Sequence, residues 1–248
     1  MLSQKKNYVN RLLFFLKKYF KIINFRDIIN LYSFRSDIKM KTFLFQGDSI
    51  TDADRQRENI FNYGYGYPNI VAAKYLEENH NEYQFINKGI SGNRIVDLYA
   101  RIKCDIINLK PDYMSILIGI NDVWHEIQSQ NGVDNKKFKK ILSMLIEEVK
   151  EALPNIKIIM LEPFVLNGPA TADNWEEFYK ETKLRAQSVK EVAEEYNLSF
   201  VPLQDKFNEA TKDTETTYWL ADGVHPTAAG HGLIAKELAE EFEKIKSC

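Results

Sequence analysis

The stretch Thr42-Phe43-Leu44-Phe45-Gln46-Gly47-Asp48-Ser49 decides how this chain is read. Five residues, mostly apolar and aromatic, run into a tight Gly-Asp-Ser turn. That is the signature of a buried strand that ends by lifting a serine hydroxyl to the edge of a sheet. A serine hydroxyl is inert at neutral pH unless a base, an orienting acid and oxyanion donors surround it. A functional serine here therefore requires such partners elsewhere in the chain.

Outward from this strand, short apolar runs alternate with helical patterns. Thr42–Gln46, Gln84–Asn87, Tyr113–Ile118, Lys157–Leu161 and Ser199–Pro202 read as strands, apolar on both faces. Pro68–Glu78, Ile95–Leu109, Asn135–Leu153, Asn174–Tyr196 and Thr227–Ile245 read as helices. Pro68 suits a first helical turn, Leu153-Pro154-Asn155 stops the third helix, and Thr227 after Pro226 helps begin the last. The alternation predicts α/β architecture with a parallel sheet, whose ligands bind outside the carboxyl ends of its strands.

At 248 residues, 44% hydrophobic and 27% charged, the chain suits one globular domain with a sheet covered on both faces. Its charge is unevenly spread. Residues 1–39 hold nine Lys and Arg against two acidic residues, whereas residues 40–248 hold 24 against 33. An acidic body gives no footprint for nucleic acid. Cys104 and Cys248 form no metal-ligand pattern and no expected disulfide, which fits a cytoplasmic protein.

Residues 1–39 stand apart from 40–248 as a basic extension. Leu12–Leu16 is too short an apolar run to span a bilayer, and no small-residue cleavage site follows it. Basic residues interleave with Leu12, Phe15, Tyr19, Ile22 and Ile23, the pattern of an amphipathic helix that could touch a membrane surface. A loosely docked extension is a second reading. Lys, Asn, Ile, Phe and Tyr supply 23 of these 39 residues, so translated upstream sequence, with Met40 as the natural start, is a third.

Three further places carry chemistry. Asp222-Gly223-Val224-His225-Pro226 precedes the last helix, and an acid three residues before a histidine can hold its Nδ1 and leave Nε2 free as a base. Ile118-Gly119-Ile120-Asn121-Asp122 follows the third strand, where an Asn side-chain amide can donate to an oxyanion or simply cap the next segment. Asn87-Lys88-Gly89-Ile90-Ser91-Gly92-Asn93 follows the second strand, and its glycines let a backbone N–H approach a ligand or merely make a turn.

Taken in order, Gly47-Asp48-Ser49, Ser91-Gly92, Gly119-Ile120-Asn121-Asp122 and Asp222-Gly223-Val224-His225 resemble the four blocks of the GDSL, or SGNH, hydrolase family. The resemblance runs from about Met40 to the C-terminus. It implies a flavodoxin-like three-layer α/β/α sandwich with five parallel strands. It implies Ser49 as nucleophile, His225 as general base and Asp222 as the residue orienting it. The oxyanion hole would be the N–H groups of Ser49 and Gly92 with the Asn121 side chain. Ile50 replaces the usual Leu, and Thr51-Asp52-Ala53-Asp54-Arg55 lacks the glycine often found there, which bears on the substrate mouth.

Asp48, Asn93, Trp124 and Glu162 are expected to contact substrate, with Asp52, Arg55, Arg94, His125, Pro163, Phe164 and Trp219 as further crevice candidates. Such a mouth suits a sugar-like alcohol. Tyr63-Gly64-Tyr65-Gly66-Tyr67-Pro68, the Gly89–Arg94 turn and Glu162-Pro163-Phe164 together resemble the acetyl-ester, carbohydrate-esterase-like branch. The expected activity is hydrolysis of a short acyl ester, such as acetyl, through an acyl-enzyme on Ser49, without a metal or organic cofactor. His125-Glu126 is no zinc motif, because Ser129 stands where a second histidine would be needed. His80 and His231 are expected to be exposed or helix-associated. The rival readings are a lipase, lysophospholipase or thioesterase of the same fold, and a non-catalytic flavodoxin-like binding module. Against the module, Gly47-Asp48-Ser49-Ile50 is not a Gly-rich phosphate fingerprint.

Overall fold

The computed structural model describes residues 40–246. The three readings of residues 1–39 and the reading of Cys248 lie outside the described residues. Five strands, β1 (Lys41–Gly47), β2 (Tyr83–Asn87), β3 (Tyr113–Leu117), β4 (Lys157–Leu161) and β5 (Ser199–Val201), form one sheet in the order β2-β1-β3-β4-β5. Every pairing is parallel, with Phe45 opposite Asn87 on one side and Ser115 on the other. The helices are α1 (Ser49–Asp52), α2 (Tyr67–Glu78), α3 (Ile95–Ala100), α4 (Ile102–Asp105), α5 (Ile120–Ser129), α6 (Asn135–Ala152), α7 (Trp175–Glu195), α8 (Gln204–Ala210), α9 (Thr216–Trp219) and α10 (Ala228–Lys246).

The period of two along each strand sorts the core into two layers. Phe43 and Phe45 of β1, with Tyr113, Leu117, Ile159 and Leu161, pack under Val71 of α2 and Ile234, Leu238 and Phe242 of α10. Leu44, with Met114, Ile116, Ile158 and Met160, packs under Leu98 of α3, Leu142 and Leu145 of α6 and Val192 of α7. The result is a three-layer α/β/α sandwich. Burial on both faces explains why the strands read as continuous apolar runs. At about 25 cal/mol per Å² of apolar area removed from water, these two layers supply the main force holding the sheet between its helices.

The helix expected over Ile95–Leu109 is broken into α3, α4 and a 3-10 turn at Ile107–Leu109. No Pro or Gly marks the break, and its cause is tertiary. Arg101, at the junction, reaches the carboxyl edge of the sheet. Its guanidinium donates to the Gly47 and Lys88 carbonyls, to Asn93 Oδ1 and to Asp105. The buried Gln46 side chain then donates to the Asp105 carbonyl at 2.9 Å. The segment after Gly119, for which no helix is expected, is the start of a ten-residue helix, α5. The short α1, α8 and α9 were likewise not expected. Thr227 does help start α10, accepting from the Gly230 N–H at 3.4 Å. Among the described residues no helix is long and apolar enough to cross a membrane.

Candidate functional site

Sheet order reverses between β1 and β3, so a crevice opens at their carboxyl ends. Ser49 begins α1 there. Asp48 caps that helix, with Oδ1 accepting from the Ile50 N–H at 3.0 Å. The Ser49 N–H lies in a first helical turn, where intrahelical partners are lacking. It is therefore available to a ligand.

The Asp222–His225 loop arrives from the other side. It is closed by a bridge between Leu220 and Pro226 and by the Ala221 N–H on the His225 carbonyl at 2.8 Å. Leu220 and Val224 are buried and anchor it. Ser49 Oγ and His225 Nε2 are 3.0 Å apart, and His225 Nδ1 and Asp222 Oδ2 are 2.7 Å apart. Asp222 Oδ1 accepts from the N–H groups of Val224 and His225, each at 2.8 Å. Burial pushes the Asp222 carboxyl up, but the His225 ring and these two amides outweigh it and hold it at about 2. The same hydrogen bond raises the pKa of His225 against the opposing effect of its burial. An ionised carboxylate on Nδ1 fixes the tautomer, so Nε2 faces Ser49 as an acceptor.

Gly92 and Asn121 bring in donors from β2 and β3. Gly92 has φ of +82°, a conformation that only glycine adopts without strain, although a side chain there would meet nothing. Its N–H bonds to none of the described residues. Asn121 Nδ2 donates to the Asn93 carbonyl at 3.2 Å, which leaves its second N–H free. Asp122, fully buried, accepts from the Ile95 N–H at 3.1 Å and so caps α3 rather than its own helix. Burial pushes its carboxyl up to about 8, opposed by that N–H and by Arg185.

Ser49, His225 and Asp222 thus form one hydrogen-bonded chain, Gly92 and Asn121 follow the neighbouring strands β2 and β3, and the expected substrate contacts divide. Trp124 lies beside the site, its ring 5.7 Å from that of His225 and edge-on to Phe178. Asn93 borders the site through its carbonyl, while its side chain accepts from Arg101. Two of the four lie elsewhere. Asp48 is fully buried beneath the turn, where capping α1 holds it. Glu162 is drawn to the start of α8, accepting from the N–H groups of Leu203 and Gln204 at 2.7 and 2.9 Å. Of the wider candidates, Phe164 is in the core against Phe207, Arg55 donates to the Gly89 carbonyl, and Trp219 Nε1 donates to Thr214. His80 is exposed, whereas His231 is buried on α10.

The residues that fix the donors are Asp52, expected at the crevice, and Asn87, to which the sequence assigns no role. Asp52 is buried and accepts from both the N–H and the hydroxyl of Ser91, each at 3.0 Å, which sets the turn that carries Gly92. Asn87 holds the same region, donating to the Thr51 and Tyr63 carbonyls and accepting from the Gly89 N–H. The signal was their adjacency to the motifs, but adjacency does not reveal direction. A cleft of about 570 Å³ lies over Ser49 and His225, bounded also by Asp54, Tyr65, Ser91 and His231. Among the described residues no group of three or more His, Cys, Asp or Glu is arranged to hold a metal ion.

Comparison with known proteins gives the same outline. The profile of the GDSL-like lipase/acylhydrolase family matches residues 45–233. An acetylxylan esterase from Geobacillus stearothermophilus is 37% identical over 217 residues, covering 82% of this chain and 95% of its own. The crystal structure of the acetylxylan esterase Axe2 from that organism superposes with a TM-score of 0.72 at 34% identity, covering 81% of this chain and 93% of the other. A structure described as a GDSL-like lipase, from Parabacteroides merdae, gives a TM-score of 0.78 at 36% identity, covering 83% and 98%.

Proposed function

The chain belongs to the GDSL-like lipase/acylhydrolase family and is a carboxylic ester hydrolase, and we propose that it removes acetyl groups from carbohydrate hydroxyls through an acyl-enzyme on Ser49. The observation that carries this reading is the unbroken chain from Ser49 Oγ to His225 Nε2 at 3.0 Å and from His225 Nδ1 to Asp222 Oδ2 at 2.7 Å. As Ser49 Oγ attacks the ester carbon, its proton passes to His225 Nε2. Asp222 steadies the imidazolium that forms. The oxyanion is held by the N–H groups of Ser49 and Gly92 and by the free N–H of Asn121. His225 then gives its proton to the leaving alcohol, and water repeats the cycle on the acyl-enzyme.

The choice of acetyl on a sugar rests on the acetylxylan esterase relatives and on the polar boundary of the cleft, with Asp54, Tyr65, Ser91 and His231 beside the catalytic pair. The hydrolase domain is 40–248, in keeping with a family match that starts at residue 45 and a first strand that starts at Lys41. A free, exposed Cys104 accords with the reducing cytoplasm.

Treatment with a fluorophosphonate tests the nucleophile. Labelling is expected at Ser49 and nowhere in Ser49→Ala, whose hydrolysis should fall by about 10⁶. Rates on acetyl and long-chain esters test the acyl group. Acetyl esters should turn over faster, and a preference for the long chain would return the enzyme to the lipase, lysophospholipase or thioesterase reading.

A further inference from the structure

Tyr65 and His231 are among the cleft groups that the esterase mechanism leaves unused. What they do follows from where the reacting atoms must sit. The carbonyl oxygen belongs at Gly92 and Asn121, where the donors are. The leaving oxygen belongs on the His225 side, because His225 protonates it. The cleft that holds Ser49 and His225 is also lined by Pro226, Ala228 and His231 and by Ala53, Asp54 and Tyr65. The alcohol therefore leaves along this lining.

His231 is 8% exposed, and its Nδ1 accepts from the Tyr67 N–H at 3.2 Å. The ring nitrogen that accepts carries no proton, so the neutral ring bears its hydrogen on Nε2. Burial first, and the nearby His225 second, push the ring down to about 4, so it stays neutral where the enzyme works. Nε2 has no partner among the described residues, yet it is not among the sealed, unpartnered atoms. His231 borders the cleft, which leaves Nε2–H as an uncharged donor beside it.

Tyr65 is 80% exposed and borders the same cleft. Its N–H donates to the Ala53 carbonyl at 2.8 Å, which ties it to the nucleophile turn. Gly66 follows and lets the chain lie against His231, because a Cβ there would stand 2.7 Å from Cε1. The Tyr65 backbone and the His231 ring are thus parts of one local unit.

We propose that Tyr65 and His231 form the subsite for the leaving alcohol, a pyranose-type ring, with Tyr65 covering its C–H face and His231 Nε2–H donating to one of its hydroxyls. This deepens the acetyl-carbohydrate reading and rests on it. Apolar contact over a rigid ring with one placed donor is the usual composition of a small-molecule site. The arrangement selects the alcohol by shape and one hydrogen bond and leaves the acyl group to the opposite side.

Inhibition kinetics test the subsite. Vinyl acetate, whose alcohol part has neither ring nor hydroxyl, serves as reporter, and methyl β-xylopyranoside as competitor. In the wild type the free sugar should inhibit competitively. Its inhibition constant should rise about tenfold in Tyr65→Ala and in His231→Asn, which retains an acceptor for the Tyr67 N–H, and should stay near wild type in Tyr65→Phe. If His231→Asn does not fold, the exposed Tyr65 pair decides alone. A wild type that cleaves vinyl acetate but ignores the sugar overturns the subsite and leaves the esterase standing, as does an inhibition constant that Tyr65→Ala does not move. A wild type that leaves vinyl acetate intact and escapes fluorophosphonate labelling overturns both.

Discussion

Asp222 and Asp48 flank the same serine, yet they are opposites. Asp222 has every oxygen engaged, with the His225 ring on Oδ2 and two backbone N–H groups on Oδ1, and it is held at about 2. Asp48 is fully buried with one N–H on Oδ1 and nothing on Oδ2, and burial pushes it up to about 7 despite that N–H. Proximity to the nucleophile does not make an acid part of the chemistry. The donors that meet its oxygens decide whether it is ionised, and only Asp222 also holds the His225 ring.

The largest expected break in this comparison is Asp222→Asn. It keeps the shape but cannot hold the neutral tautomer, so kcat should fall by about 10⁴. His225 must be neutral to act as a base, and Asp222 raises its pKa. The acid limb of the rate profile should therefore lie above the ordinary histidine value in the wild type and move to lower pH in the variant. Asn121→Ala comes next. It removes an oxyanion donor and leaves both acids in place, so kcat should fall by about 10² to 10³ with the acid limb unmoved.

Asp48→Asn acts on stability. A folded-state pKa near 7 means that the fold binds an extra proton between the ordinary carboxylate range and 7. Stability from this group is therefore full at low pH and is lost as pH rises through 7, the reverse of Asp222, whose contribution is lost as pH falls from about 4 toward 2. Denaturant melts should show the wild type losing about 2 kcal/mol between pH 5 and 7 from this group, a slope that the asparagine variant flattens. The smallest effect belongs to the same variant. Ionised Asp48 adds slightly to the pKa of His225, so its removal should shift the acid limb down by less than one pH unit, well short of the shift in Asp222→Asn.

The same contrast explains what could be read from the chain. Strands sandwiched between two helix layers declare themselves as runs such as Thr42–Gln46, because burial on both faces leaves no polar position to confuse them. Ser49, Gly92, Asn121, Asp222 and His225 were legible because each follows a strand or precedes a helix at a motif. Asp48 and Glu162 were misplaced because a carboxylate that caps a helix and one that faces a ligand look alike in sequence. The break at Arg101 depends on carbonyls 13 and 54 residues away and has no local mark. His231 was open between exposed and helix-associated, and only the packing of Gly66 and Tyr67 against it shows why it is buried.

One feature of the oxyanion side has a wider effect. Asn121 is tied to the Asn93 carbonyl, and Asp122 is tied to the Ile95 N–H, so the loops after β2 and β3 are stitched to one another at two adjacent points. In the proposed oxyanion hole a substrate would meet donors already locked at a common spacing. Their ordering happens once, at folding, instead of at every turnover. A rigid planar mimic of the carbonyl should fit this frame poorly, and a tetrahedral boronate should fit it well.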